Sequence, residues 1–406
     1  MRTVAAHESD LWSKLKRKLS HLDIELTERC NNACVHCTIN LPENDLAAQR
    51  RELGTDELKR ILKEAAALGC LSVRYTGGEP LLRPDFKELY LYAKRLGMRV
   101  TLFTNATLLD EEIAALLKKY PPGEVVEVTV YGMTRATYEA VSRAKGTFDA
   151  AFRGIELLRQ YEIPFIVKGA FLPQNKADVE AFEAFAKTVP WLDHAPNYSM
   201  FFDLRTRRDS EAANERIRHL RPIPDEAIAH LTRDRERYFK GMREFCGKFM
   251  RPPGEKLFAC GAGNHSGTVD AYGNFQVCML LRHPDTVYNL RSGTLEDALD
   301  NFFPKVLAAR TQNPDYLQKC AICFLKGLCE QCPGKAWAES GQIDEPVSYL
   351  CEVAHQQARL LGLLDENEYS WQVNDWQARI ERLTGAPLQI NNNNPSSSER
   401  NGECPK

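Results

Sequence analysis

The chain has 406 residues, 43% of them hydrophobic and 27% charged, and 53 basic against 55 acidic residues give a formal net charge of -2. That length suits two to three domains with substantial cores, and the near-neutral charge leaves no electrostatic case for nucleic acid as a partner. No apolar run approaches the ~20 residues of a membrane helix, charges interrupt Met1 to Leu22 so that no signal peptide is read there, and thirteen cysteines without a secretion signal favour metal ligation in the cytoplasm over disulfides.

In chain order, residues 1–21 form a basic segment. Its partly amphipathic stretch Leu11 to Leu22, with Lys14, Lys16, Arg17 and Lys18, reads as a surface helix or as a patch for a partner. Across residues 22–203 the pattern strand, helix, strand repeats through six strands, which predicts parallel β/α units. The strands expected are Leu22 to Thr27, Leu71 to Thr76, Val100 to Thr104, Val125 to Tyr131, Phe165 to Ala170 and Asn197 to Phe202. Thr55, Asp56 and Glu57 place a capping hydroxyl and two acids at a helix start, Gly69 suits its left-handed stop, and a similar element runs from Asp85 to Gly97. Several strands alternate: Leu22, Ile24 and Leu26 with Asp23, Glu25 and Thr27, and Val126, Val128 and Val130 with Glu127, Thr129 and Tyr131. In a β/α barrel the apolar set faces the helices, so the polar set lines a wet interior suited to a ligand. That favours a partial, six-stranded barrel over a complete one filled with branched aliphatics. Glu25, Glu127 and Tyr131 are then interior candidates for catalysis; the alternative is that the charges merely sit at strand ends.

Residues 204–245 are dense in charge, with Arg205-Thr206-Arg207-Arg208 and Arg233-Asp234-Arg235-Glu236-Arg237, and read as a helical bridge whose charges are either solvated or bind substrate. A cysteine-rich domain is expected over 246–365, a C-terminal helix over 366–388, and a disordered tail rich in Asn and Ser, with Cys404, over 389–406. Cys70, at the head of an apolar strand, reads as a buried core thiol.

Two cysteine groups carry the chemistry. Cys30-x3-Cys34-x2-Cys37 directly follows the first strand, and thiolates at this spacing can hold three irons of a four-iron cubane, leaving the fourth open to chelate a small molecule. The second group is Cys278 with Cys320-x2-Cys323-x5-Cys329-x2-Cys332, flanked by Cys260 and Cys351, with Cys246 upstream. Zinc is the competing occupant, since C-x2-C pairs also suit tetrahedral sites.

At these residues the sequence resembles the radical S-adenosylmethionine (radical SAM) superfamily. Gly77-Gly78-Glu79-Pro80 ends the second strand where that family contacts the methionine amino group; His36 takes the place beside the third cysteine that packs near the adenine; Thr104-Asn105 ends the third strand where the family approaches the ribose or methionyl part. Arg205 and Arg207 follow the sixth strand closely enough to reach the cofactor carboxylate, Arg205 being the candidate for it. The resemblance implies an α/β fold, a partial (β/α)6 TIM-like barrel followed by a small cysteine-rich domain. It further implies reductive cleavage of S-adenosylmethionine to a 5'-deoxyadenosyl radical that abstracts hydrogen from substrate. A flavodoxin or ferredoxin-type donor would supply the electron.

The second group resembles the SPASM extension of that superfamily, which holds two auxiliary 4Fe-4S clusters, three clusters in all. Carried over by position, Cys260, Cys278 and Cys332 hold the first auxiliary cluster and Cys320, Cys323, Cys329 and Cys351 the second. The final spacing here is x2 where the family more often has x3. Cys246 is the nearby cysteine able to close the first cluster, and without it an iron stays open. The resemblance points to a peptide or protein substrate that is crosslinked or oxidised, with leader recognition left to a separate protein. The alternatives are a small molecule such as a tetrapyrrole or an alcohol, and a non-catalytic zinc scaffold.

Overall fold

The computed structural model describes residues 18–386; most of the basic N-terminal segment, and the tail with Cys404, lie outside the described residues. Six strands follow the expected alternation with helices: β1 (His21–Thr27), β2 (Ser72–Gly77), β3 (Arg99–Thr104), β4 (Val126–Thr129), β5 (Phe165–Ala170) and β6 (Tyr198–Ser199), each paired in parallel with the next. β6 is only two residues long, and from it through Asp203 the chain lines a cavity. The fold is α/β, an open partial barrel. Its β1 edge is extended by three strands from the C-terminal half, β7 (Ser266–Val269), β8 (Asn274–Gln276) and β9 (Val287–Asn289), giving the order β9-β8-β7-β1-β2-β3-β4-β5-β6. β7 runs parallel to β1 and the last two strands are antiparallel, so the cysteine-rich region shares one sheet with the barrel.

The alternation in the strands sorts by face as the barrel requires. Leu22, Ile24, Leu26, Val73, Tyr75, Val100, Leu102, Val126, Val128, Phe165 and Val167 are buried in one core against the helices, each contributing roughly 1.5–3 kcal/mol. The opposite face carries a chain of polar contacts across five strands. Asp23 Oδ1 lies 3.3 Å from Arg74 Nε; Arg74 and Lys168 stand over the Phe103 ring at 4.7 and 4.3 Å; and Lys168 pairs with Glu127.

Helix α1 (Thr55–Ala67) begins beside the cap expected for it. Gly54 is the N-cap, its N–H donating to Glu57 Oε2 at 2.8 Å, while the Thr55 hydroxyl donates instead to Asp85. Leu58, Ile61, Leu62 and Ala65 face the sheet, and Gly69 stops the helix at φ 88°. α2 (Phe86–Arg95) and α3 (Arg135–Ser142) follow. The charged bridge is helical, ending in α4 (Arg235–Phe249), which runs through the boundary expected at 245. α5 (Pro333–Ser340) and α6 (Ser348–Leu360) belong to the cysteine-rich region. Among the described residues no helix is long and apolar enough to cross a membrane.

Barrel and C-terminal half are joined by buried ion pairs at the end of β1. Arg282 reaches Glu25 at 2.5 Å, Glu28 at 3.3 Å and Asp270 at 3.7 Å; Arg207 pairs with Glu28 and, at 2.8 Å, with Asp270. Charges this deep are tolerated only when paired.

Candidate active site

The loop after β1 is clamped at both ends before it presents its thiols. Arg29 lies under it with a forked grip on Glu52, at 2.9 and 3.1 Å, and donates to the Glu43 carbonyl at 2.9 Å. Arg29–Cys30 pairs with Leu41–Pro42, closing the loop at its base. Ala33 and Val35 donate backbone N–H groups to Ser142 and Val141 at the end of α3, at 2.8 and 3.0 Å. The thiols are close: Cys34 and Cys37 oppose ionisation of Cys30, Cys37 opposes that of Cys34, and burial pushes Cys34 up to about 12. Bound iron is the ordinary remedy, because it deprotonates its thiols outright.

The glycines at the end of β2 are required by contact. A Cβ on Gly77 would stand 2.2 Å from the Thr27 carbonyl, and one on Gly78 2.1 Å from that of Arg29. Gly77, at φ 117°, also adopts a backbone that favours glycine. Gly78 and Glu79 donate back to these carbonyls at 2.7 and 2.9 Å, so Gly77 to Pro80 lie directly beneath Cys30. Glu79 is fully buried: its carboxylate accepts from the Leu81 N–H at 3.1 Å, the Thr104 hydroxyl at 2.8 Å and the Asn105 N–H at 2.8 Å. The two segments expected at the cofactor, 77–80 and 104–105, are thus joined by this one side chain, whose carboxyl burial raises to about 7. Asn105 continues the chain of contacts, donating to Asn31 at 3.0 Å and toward Cys30 Sγ at 3.8 Å.

Beside the loop lies a cavity of about 340 Å³. Cys34, His36, Cys37 and Tyr131 form one wall; residues 198–203, α4 and Glu330 and Lys335 of the cysteine-rich region form the others. His36 packs against Phe202 and Tyr131 at ring separations of 5.1 and 5.9 Å. Desolvation lowers it to about 4 and keeps it neutral, and its Nδ1 is buried without a partner. Tyr131 donates toward Cys34. Lys335 is the cavity's cation, 2.9 Å from Glu330 and 3.6 Å from Asp203. These three were not singled out from the sequence, and no local spacing marks them; the fold alone brings them together.

Other expected site residues stand elsewhere. Glu25 is enclosed by Arg282, and Glu127 pairs with Lys168, so neither lines the cavity. Arg205 is not free for a cofactor carboxylate: its guanidinium grips Asp209 at 2.5 and 2.9 Å and the Asn40 carbonyl at 3.3 Å, fastening the far side of the cysteine loop.

The C-terminal cysteines fall into two sets. Cys320, Cys323, Cys329 and Cys351 line one small apolar cavity. Cys278 senses Cys332 and Cys260, which oppose its ionisation. Cys246 joins neither as expected. It sits on α4 in an apolar core with Met242, Met250, Phe324 and Leu328, fully buried, and burial alone raises its thiol to about 12. Among the described residues no three His, Cys, Asp or Glu side chains converge on a single metal ion; thiolates of a cubane each take a separate iron and so stand further apart.

Residues 24–186 match the radical SAM superfamily. The chain is 29% identical over 350 residues, 80% of its own length and 94% of the relative's, to the AdoMet-dependent heme synthase of Methanosarcina barkeri. It is 25% identical over 360 residues, covering 81% of itself and 73% of the relative, to the antilisterial bacteriocin subtilosin biosynthesis protein AlbA of Bacillus subtilis. Its fold resembles that of anSMEcpe with bound AdoMet, at a TM-score of 0.58 and 15% identity over 84% of this chain and 96% of the other. The residues present fit a 4Fe-4S cluster and S-adenosylmethionine: three thiols on a clamped loop, with the Asn32 amide and His36 Nδ1 buried and unpartnered around them. Residues 24–186 of the chain thus carry a radical SAM domain.

Proposed function

We propose that the protein abstracts hydrogen from a peptide substrate whose side chain enters the cavity beside Cys34 and Cys37, crosslinking or oxidising it. Bound together at this loop, the cluster and S-adenosylmethionine would supply a 5'-deoxyadenosyl radical as the abstracting species. The chain's own part is to orient and to exclude water. Gly77 to Pro80, Thr104-Asn105 and His36 would hold the cofactor, and the aromatic wall of Tyr131, Tyr198, Phe202 and Tyr238 keeps the site dry. Lys335, Asp203 and Glu330 offer donors and acceptors for peptide amides. In a SPASM-like C-terminal region, Cys320, Cys323, Cys329 and Cys351 would hold one auxiliary cluster and Cys260, Cys278 and Cys332 another, the latter with an iron free of cysteine. A flavodoxin or ferredoxin-type protein would deliver the electron, and leader recognition would fall to a separate protein.

The observation that carries the peptide reading is the cavity's charge. Its ammonium is already paired with two carboxylates, and a substrate rich in carboxylates would meet net repulsion there. The similarity to subtilosin biosynthesis protein AlbA agrees with it. A second reading, an iron tetrapyrrole as substrate, is favoured by the identity of 29% over 94% of the heme synthase. Anaerobic co-expression with a small peptide encoded beside the gene, followed by intact mass measurement, separates them. Loss of a pair of hydrogens from the peptide is expected; an unchanged peptide together with a tetrapyrrole altered in mass on incubation would favour the second.

A further inference from the structure

The cavity lined by Cys320, Cys323, Cys329 and Cys351 is closed by side chains from outside the cysteine motifs, among them His355 and Trp371. Beside backbone N–H groups of Leu325 and Gln331, two polar side chains reach its sulfurs. Ser370 Oγ lies 2.9 Å from Cys323 Sγ, and His355 Nδ1 lies 2.8 Å from the Cys351 carbonyl oxygen and 3.5 Å from Cys351 Sγ.

Neighbours fix the direction of both contacts. His355 Nε2 accepts the Ser370 backbone N–H at 3.2 Å, which leaves the proton of a neutral ring on Nδ1, facing the carbonyl and the sulfur together. A cysteine bound to iron carries no proton, so in the other pair the Ser370 hydroxyl is the donor. The two residues form one unit, since Ser370 orients the imidazole through its backbone while its side chain turns to the second sulfur. His355 and Ser370 are 4% and 1% exposed, so water does not compete for these bonds. The ring is held edge-on to Trp371 and Tyr369 at 5.2 and 5.8 Å, and those two stack at 4.9 Å.

We infer that Ser370 and His355 are positioning residues that raise the reduction potential of the cluster held by these four cysteines; this rests on the ligand set of the proposed function. Hydrogen bonds to ligand sulfur favour the reduced state, which carries one more negative charge, and they are stronger where the surroundings are dry. The C-terminal segment, remote in sequence from every C-x2-C pair, thereby sets how readily this cluster takes an electron.

The test is an anaerobic redox titration of the full-length protein followed by electron paramagnetic resonance. Ser370→Ala and His355→Leu are each expected to move one midpoint potential to more negative values and to leave the others in place. Ser370→Thr and His355→Asn, which keep a donor at Oγ and at the Nδ1 position, are expected to retain the wild-type value. An unchanged potential in Ser370→Ala at full iron content, or an equal shift in every cluster, overturns the inference. If a variant loses iron, wild-type protein carrying histidine labelled with nitrogen-15 in the ring decides: coupling of that nitrogen to the cluster whose signal Cys320→Ala removes supports the inference, and its absence overturns it. A Cys320→Ala variant that loses no cluster signal would instead overturn the ligand set on which the inference rests.

Discussion

The two cysteine regions are built on opposite plans. Cys30, Cys34 and Cys37 lie within one loop that the barrel clamps through Arg29, Arg205, the end of α3 and the glycines of β2. The C-terminal cysteines are spread from Cys260 to Cys351, and their two sets interleave along the chain, Cys332 belonging with Cys260 and Cys278 although it follows Cys329 by three residues. A site made by one loop is fixed by local sequence on a prepared scaffold. A site made by several segments exists only once those segments have packed, so its geometry depends on the whole C-terminal fold. The first plan suits a centre that must keep one open position; the second suits centres whose surroundings adjust their electronic properties.

The largest effect on this contrast should come from the link between the regions. Arg282→Met takes the cation from Glu25 and leaves Glu28 and Asp270 with Arg207, and a loss of about 3–5 kcal/mol in unfolding free energy is expected from an uncompensated buried charge. Urea denaturation of the purified chain checks it. A loss below about 1 kcal/mol would mean that barrel and cysteine-rich region are held chiefly by their shared sheet.

A smaller effect is expected inside the clamped loop. Glu79→Gln puts an amide N–H₂ against donors that now meet a carboxylate, and should cost about 1–3 kcal/mol. The cost should depend on pH in the chain without its cluster. The folded Glu79 carboxyl titrates near 7, above the ~4.3 of an unfolded glutamate, so the folded state binds this proton more tightly. That contribution is complete below about pH 4.3 and is lost as pH rises through 7. Wild type should therefore lose stability over this window relative to Glu79→Gln, and the gap between them should narrow from pH 5 to pH 8. A gap that widens would contradict the buried, protonated carboxyl.

The smallest effect concerns Cys246. Cys246→Ala removes one buried sulfur from an apolar core and should cost about 1 kcal/mol, with iron and sulfide content unchanged. Loss of iron from this variant would return Cys246 to the ligands and close the first auxiliary set.

Much of the barrel was legible because alternation along the strands encodes which face meets the helices; Leu22, Ile24, Leu26 and Val126, Val128 went inward as that pattern requires. The loop of Cys30, Cys34 and Cys37 and Gly77 to Pro80 stand out in the sequence because each is contiguous, and the structure packs the two together through backbone contacts. Cys246 reads as a fourth ligand on ligand count alone, whereas the structure sets it on α4, which runs on past the boundary expected at 245. Met242, Cys246 and Met250, four apart, are the stripe of a helix facing a core, and that periodicity was the available signal. Arg205 follows the sixth strand, but its partners Asp209 and Asn40 meet it only through a turn that no spacing specifies. Lys335, Asp203 and Glu330 come together across three segments and left no trace in local sequence.

In the function proposed above, the loop of Cys30, Cys34 and Cys37, alone among the cysteine sets, makes the radical. The most direct measurement compares 5'-deoxyadenosine formed from S-adenosylmethionine by anaerobically prepared wild-type protein and by the Cys30→Ala, Cys34→Ala, Cys37→Ala variant, with iron counted in both. Formation by wild type, none by the variant, and retention of the remaining iron are the predicted results; a variant that still produces 5'-deoxyadenosine would contradict the account.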